Sequence, residues 1–379
     1  MMHFFTSVVA NYIPKARVLA SSVKQHNPGA AFHLVLADQR PSWLGVADEP
    51  FDSVILASEL GIEDFERWAF KHSVVELCTA VKAFGFRAIR TRHAAEKVVY
   101  LDPDMVVLGP LDPLEQLLDQ WSIVLTPHQT EPETTNEAVI DNEICSLKHG
   151  VFNLGFLALR SAGDGPRFVD WWAARLGEFC YDDIPAGLFT DQRWVDLAPC
   201  FFEDLHVLRD PSYNVATWNL THRQVTGSLR DGLLVNGRPL RIFHFSGFDS
   251  GAQEVMLKKY GGQSTALFEL RRWYIARCAE MGQNEHGRAP CVYDRYSDGQ
   301  KIERQHRLTY RSRADLMAHF PEPFRADDAD RSYRHWYAAE FPRRWPGHRF
   351  ARALARGWRN TAPNSQRLIA SLAKRLGLG

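Results

Sequence analysis

In Val98-Val99-Tyr100-Leu101-Asp102-Pro103-Asp104, an apolar run leads into two aspartates one residue apart, and apolar residues resume at Met105-Val106-Val107. A strand buried on both faces reads as such a run. Its C-terminal tip then carries two carboxylates side by side, and in open α/β sheets ligands bind at that tip. Paired hard oxygen ligands suit Mg²⁺ or Mn²⁺ carrying a phosphorylated substrate. A neutral imidazole can complete such a set, leaving positions for phosphate oxygens, and His244 ends another short strand-like stretch. Asp102, Asp104 and His244 are therefore candidate metal ligands. The plain alternatives are a salt-bridged turn for the aspartates and a buried, satisfied histidine.

The elements around this pair alternate between strand-like and helix-like through the first 200 or so residues, the pattern of α/β layers. Strands are expected at Phe4 to Ala10, Phe32 to Leu36, Ser53 to Leu56, Ile123 to Thr126, Phe156 to Leu159 and Arg241 to Phe245. Helices are expected over Ala16 to His26, Leu111 to Gln120 and Pro166 to Phe179. From Phe65 to Arg92, Val74, Leu77, Cys78, Val81 and Phe84 recur at three- and four-residue spacing, which predicts one long helix. Residues 127 to 148 are polar and show no clear period, so a long functional or mobile loop is expected.

Composition narrows the class. The chain has 379 residues, enough for one large domain or two ordinary ones, and 45% of them are hydrophobic, which excludes wholesale disorder. No apolar run reaches the ~18 residues that span a bilayer. The opening Met1 to Ala10 lacks a basic leader and reads as a strand, which predicts a cytoplasmic protein. Six cysteines lie scattered without C-x-x-C spacing, so neither a zinc site nor a disulfide framework is expected. Charge is uneven. From Arg331 to Gly379 there are eleven Lys/Arg and one acid, Glu340, so this stretch carries +10 and the rest −10 in a chain whose total is zero.

Taken together, the polar residues at strand tips give the chain a resemblance to GT-A fold glycosyltransferases, in particular the retaining family 8 enzymes and their bacterial relatives. Thr6-Ser7-Val8-Val9-Ala10-Asn11-Tyr12 is similar to that family's uridine-binding start. Leu77-Cys78-Thr79-Ala80-Val81-Lys82 resembles the helix that presents a basic residue to the donor. Tyr100-Leu101-Asp102-Pro103-Asp104 matches the metal motif, and Phe152-Asn153-Leu154-Gly155-Phe156 the Asn-x-Gly segment near the donor sugar. Thr190-Asp191-Gln192 matches an Asp-Gln pair, and His244-Phe245-Ser246-Gly247 the start of a second metal motif. That motif usually runs on into Lys-Pro-Trp, whose lysine holds a phosphate. Here Phe248-Asp249-Ser250-Gly251 follows, leaving Lys258 or Lys259 as substitutes.

The resemblance implies an α/β fold, a GT-A (Rossmann-like) mixed sheet flanked by helices, over residues 1–285, followed by a basic, aromatic-rich, mainly helical region over 286–379. It implies Mn²⁺ or Mg²⁺ and a nucleotide sugar, a UDP-sugar, as donor. Asp102 would bind metal, ribose or both, Asn153 and Asp191 would hydrogen-bond sugar hydroxyls, and Gln192 would lie at the reacting face. Gly155 would let the backbone approach the sugar, Lys82 and Gly247 would serve the donor, and Thr6, Asn11 and Tyr12 the uridine. The implied reaction is front-face hexosyl transfer with retention to a saccharide or lipid-linked acceptor, as in bacterial surface-polysaccharide assembly.

Two rivals come from other classes: a haloacid-dehalogenase-like phosphatase with Asp102 as nucleophile, and a non-catalytic sugar-nucleotide-binding protein. The first is disfavoured because that motif normally opens its domain. In the tail, arginines interleave with aromatics, and from Phe350 to Trp358 the spacing is helical. That composition suits an interfacial helix on anionic lipid, so residues 331–379 would hold the protein at the inner face of a membrane. Packing of that basic region on the acidic remainder is the alternative. Nucleic acid is not expected, since no recognition motif is present.

Overall fold

The computed structural model describes residues 1–45, 48–262, 264–328 and 331–341. Its centre is a mixed seven-stranded sheet. The strands are β1 (Met2–Val8), β2 (Ala31–Leu36), β3 (Ser53–Leu56), β4 (Lys97–Leu101), β6 (Ile123–Pro127), β7 (Phe152–Arg160) and β10 (Leu205–Val207), in the order β10-β6-β7-β4-β1-β2-β3. Between them in sequence lie β5 (Met105–Val107) and the short pair β8 (Asp182–Asp183) and β9 (Leu188–Phe189). Neighbours run parallel except around β7, which is antiparallel to both β4 and β6. That reversal makes the sheet mixed, as expected for this fold class.

Strand alternation sends Phe5 and Tyr100 to one face and Phe4 and Val99 to the other, and each face buries its own apolar cluster. The first is covered by α2 (Phe65–Phe70), α3 (Val74–Ala80), α4 (Lys82–His93) and α8 (Gly165–Phe179), the second by α1 (Ile13–His26) and α5 (Asp112–Gln120). On α4, Gly85 lies so close to β1 that a Cβ there would meet Phe5 at 2.9 Å. A third cluster joins the hairpin strands β11 (Val225–Ser228) and β12 (Gly232–Val235) to the helices Ala252–Tyr260 and Thr265–Glu280, and the exposed β13 (Arg238–Pro239) pairs with β12.

Two expectations are corrected. The long helix over 65–92 is three helices. Ser73 is extended, accepts the Glu76 amide proton at 3.3 Å, and donates its own N–H to the Glu76 carboxylate at 2.6 Å. This capping box restarts the helix, and its Ser-x-x-Glu signature lies within a periodic apolar run that masks it. The loop expected over 127–148 is helical from Asn136 to His149, as α6 (Asn136–Ala138), a π-helical stretch (Val139–Ile144) and α7 (Cys145–His149). Thr135 caps its start. Ile140, Ile144 and Leu147 are exposed, so no buried stripe marks this helix in the sequence.

Residues 291–328 and 331–341 lie against the sheet domain. The Val292 N–H donates to Asp38, at the tip of β2, at 2.9 Å. Arg307 is buried and donates to the Phe70 carbonyl, and Arg311 lies 3.3 Å from the Glu76 carboxylate. Tyr296, Tyr310, Phe320 and Tyr333 close an aromatic cluster around Phe70. The last described helix is Tyr333–Glu340, so the cation–aromatic pattern beyond 341 lies outside the described residues. Among the described residues no helix is long and apolar enough to cross a membrane, and the six cysteines are free.

At the other end of the sheet from Asp102, His3 on β1, His33 on β2 and His93 at the end of α4 gather. His3 Nδ1 lies 3.0 Å from His33 Nε2, and the His33 and His93 rings stack at 4.3 Å. Burial first, then the neighbouring imidazoles, push the His33 ring down to about 3, against the opposing pull of Asp52. Between about pH 6.5 and that value the unfolded chain binds a proton that the folded chain refuses, so stability falls as pH falls through the window. Thermal denaturation between about pH 7 and pH 4 should show this decline, and His33→Gln should make it shallower, the buried His72 and His128 rings supplying the rest. An equal decline in the variant would remove His33 as its cause.

Candidate metal centre and its polar network

Asp102 and Asp104 flank the turn between β4 and β5. The Asp102 N–H donates to the Gly155 carbonyl on β7 at 2.8 Å, and the Met105 N–H closes the turn onto the Asp102 carbonyl at 3.0 Å. Strand β5 then pairs antiparallel with β14 (Ile242–His244), which sets His244 opposite Met105. The Phe245 N–H donates to the Asp104 carbonyl at 2.8 Å. Backbone pairing thus brings together residues 140 positions apart in sequence. One ligand atom from each of Asp102, Asp104 and His244 falls within a 4.8 Å cluster. His244 Nε2 is 3.1 Å from Asp104 and 3.9 Å from Asp102.

The donor set fits a divalent cation on three counts. Two carboxylates and one imidazole converge. Asn214 Oδ1 lies 3.2 Å from His244 Nδ1, and the Asn214 amide donates to Asn153 and Thr126, both at 2.9 Å. An amide oxygen only accepts, so this network assigns a proton to Nδ1, and Nε2, which faces the carboxylates, is the nitrogen that would give up its proton to a bound cation. Third, Gly155 gives the cluster its room. A Cβ there would stand 2.7 Å from the Asp102 carboxylate and 2.8 Å from both Asn153 and His244.

Charges are balanced locally. Burial pushes the Asp104 carboxyl up, but His244 beside it, helped by Lys15, outweighs this and holds it below its ordinary value. Burial likewise pulls His244 down, and Asp104 and Asp102 more than reverse that. Lys82 is almost fully buried. Its ammonium lies 3.0 Å from Asp191 and 3.5 Å from Asp102, and it donates to the Leu154 carbonyl at 2.9 Å. Burial lowers its affinity for the proton, and the two carboxylates restore and exceed it. Asp191 is raised, by its burial first, despite Lys82. The Tyr100 hydroxyl donates to Asp102 at 2.7 Å and sits 3.2 Å from Ser7 Oγ.

The remaining candidates divide. Asn153 Oδ1 accepts from Gly155 N–H and Asn214, and its amide nitrogen lies 3.2 Å from His128. Gln192 is committed to backbone: Oε1 accepts the Leu154 N–H at 3.0 Å and Nε2 donates to the His149 carbonyl at 2.9 Å. Thr6 shares a strand face with Phe4 and Val8, while its neighbour Ser7 reaches Tyr100. Asn11 and Tyr12 lie in a short 3₁₀ turn after β1, and the Tyr12 hydroxyl donates to Asp249. Gly247 lies in the turn after β14, its carbonyl accepting the Gln253 N–H. Lys258 pairs with Glu254, and Lys259 pairs with Glu137 and Asp141 on the helical 136–149 segment.

Asn214, Tyr100, Ser7 and Lys15 belong to the network and are absent from the sequence-based set. Tyr100 was visible inside the motif. The signal at Asn214 is conformational. It sits at φ 52°, the left-handed region that asparagine tolerates better than most residues, and no spacing rule exposes that.

No family model matches the chain. Two proteins of Bacillus subtilis (strain 168), both described as uncharacterized, are similar to it. YfnD is 27% identical over 254 residues, which cover 65% of this chain and 78% of YfnD. YfnF is 27% identical over 176 residues, covering 46% of this chain and 57% of YfnF, so the match spans little more than half of that relative. Among solved structures, the galactosyltransferase LgtC in complex with donor and acceptor sugar analogues has a TM-score of 0.41 and 17% identity, covering 76% of this chain and 98% of LgtC. Mouse xyloside xylosyltransferase 1 has a TM-score of 0.38 and 16% identity, covering 65% of this chain and 97% of that one.

Substitutions outside the three ligands test the centre. Asn214→Ala frees the His244 tautomer and should weaken Mn²⁺ binding, measured by calorimetry, about ten- to a hundredfold with the fold intact. Gly155→Ala should do at least as much, because its methyl group must displace a ligand. Unchanged Mn²⁺ affinity in both variants would show that the ion does not bind here.

Proposed function

We propose that this protein is a metal-dependent glycosyltransferase that moves a hexose from a UDP-sugar to a saccharide or lipid-linked acceptor with retention. The observation that carries the reading is the convergence of Asp102, Asp104 and His244 at the sheet's carboxyl edge, beside the Lys82–Asp191 pair. Mn²⁺ or Mg²⁺ held there would neutralise charge on a departing diphosphate. The chain's own residues do the rest by positioning and by fixed charge. Gln192 braces the Leu154 backbone, which sets Asn153 and Gly155 against the ligand cluster. Asp191, pinned by Lys82, offers a carboxylate to sugar hydroxyls. Asn11 supports a nucleobase near β1: its side-chain oxygen is buried and lacks a hydrogen-bond partner among the described residues, and a uracil N3–H would satisfy it.

The basic stretch 331–379 would place the enzyme on an anionic membrane at the cytoplasmic face, where a lipid-linked acceptor is presented.

The decisive experiment is hydrolysis and transfer from a panel of UDP-sugars with Mn²⁺, read as released UDP. Asp104→Asn should lower kcat/KM at least about a hundredfold, as loss of a charge-stabilising group does. UDP should raise the melting temperature only with the metal present, through mass action on the folded state. Phosphate release from a phosphomonoester, without UDP release from any donor, would favour the phosphatase reading. Removing residues 342–379 leaves the packed Tyr333 helix in place. It should abolish sedimentation with anionic vesicles while sparing donor hydrolysis, and unchanged sedimentation would reject the membrane role.

A further inference from the structure

Lys15, on the first turn of α1, is a buried ammonium with an unusual counter-ion. Its side chain is 2% exposed, whereas its partner Asp249 is 48% exposed and lies in the turn that follows β14. Both Asp249 oxygens stand 2.5 Å from Nζ. The ammonium lies 4.2 Å from the centre of the Tyr12 ring and 5.4 Å from that of Phe248. The Tyr12 hydroxyl donates to the same carboxylate. The turn that carries Asp249 starts at the candidate metal cluster, where the Phe245 N–H donates to the Asp104 carbonyl at 2.8 Å.

A buried ammonium requires an anion beside it, because desolvation without one is costly. Nothing obliges that anion to come from this turn. Asp249 lies between Gly247 and Gly251, at φ 76° and 78°, in a turn whose Phe248 and Gly251 amides donate to the Phe245 and Phe248 carbonyls at 3.1 and 3.2 Å. A rigid, dehydrated cation and a phenol thus face a carboxylate that can leave into water. The groups that would meet a phosphate are the same ones that now hold Asp249. The other cations of this region are paired too, Lys82 with Asp102 and Asp191, Lys258 and Arg271 with Glu254, and Lys259 with Glu137 and Asp141; of them all, Lys15 is the buried one whose carboxylate partner is half-exposed.

We propose that Lys15 is the phosphate-binding cation of this site, and that Asp249 is a built-in carboxylate that occupies its place until a nucleoside diphosphate displaces it. This rests on the nucleotide-sugar reading above. Binding then exchanges one counter-anion for another. Asp249 swings into solvent, and Lys15 and the Tyr12 hydroxyl donate to phosphate oxygens. Free nucleotide competes with an internal carboxylate, so the pair sets the threshold concentration at which the site fills.

The test uses the full chain with Mn²⁺ and compares UDP with uridine by calorimetry. Lys15→Met should weaken UDP binding about tenfold, the loss of one charge-assisted contact. Asp249→Asn should tighten it about three- to tenfold by removing the competitor, and should lower the melting temperature of the ligand-free protein. Uridine affinity should stay level in both, since it lacks phosphate. In the double variant the gain from Asp249→Asn should vanish. Weaker UDP binding in Asp249→Asn would mark the pair as a structural brace and overturn the inference. If Lys15→Met does not fold, the direction of the Asp249→Asn effect still decides. Wild-type protein that binds no nucleoside diphosphate with Mn²⁺ would overturn the nucleotide-sugar reading and this inference with it. Wild-type binding without the opposed signs would overturn this inference alone.

Discussion

Three carboxylates, Asp102, Asp104 and Asp191, gather at one edge of the central sheet, and the surrounding structure is organised around keeping them there. Like charges at short range disfavour joint ionisation, and burial deepens the penalty. The compensation is distributed. His244 faces Asp104 and Asp102, Lys82 bridges Asp102 and Asp191, and the Tyr100 hydroxyl donates to the Asp102 oxygen that also faces Lys82. Each compensating group is itself buried, so none can be removed without stranding its partner in a low-dielectric setting. A divalent cation would finish this balance by adding positive charge where the two carboxylates converge, taking the place of the His244 Nε2 proton.

The backbone arrangement that permits this is the reversal at β7. Running antiparallel between β4 and β6, β7 brings Asn153 and Gly155 beside the tip of β4, where parallel strands alone would offer only their own C-terminal ends. The absence of a side chain at Gly155 then lets Asp102 and His244 share space. The short β5–β14 pair completes the geometry by delivering an imidazole from a distant part of the chain. The candidate metal centre depends on two antiparallel pairings added to a parallel core, more than on any single element.

That dependence explains what could be read from sequence. Strands buried on both faces, such as Val98 to Leu101 and Phe32 to Leu36, announce themselves as apolar runs, and the acids at the end of one are conspicuous. Ser53 to Leu56 falls where expected to the residue. The break at Ser73 was written in its capping box but hidden by apolar periodicity on both sides. The 136–149 helix buries too little to show a stripe. Asn214 and Lys15 were illegible for a different reason. A lysine beside Ala16 in a helix reads as solvated surface, and only tertiary packing against Phe248 and Asp249 makes it a buried cation. Residues whose role is to orient another side chain carry no spacing of their own.

The charge at position 249 follows from where the cation sits. A lysine in a mobile turn can stay hydrated until a phosphate arrives, and it needs no internal partner. A lysine on the first turn of α1 is already dehydrated, because the helix packs on the sheet whether or not a ligand is present. Such a cation is preorganised, so less conformational freedom is lost on binding. Its burial demands an anion in the ligand-free state, and a half-exposed aspartate in a glycine-flanked turn meets that demand while remaining displaceable. Moving the cation from turn to helix therefore requires an acid in the turn, and Lys15 and Asp249 are two consequences of one placement.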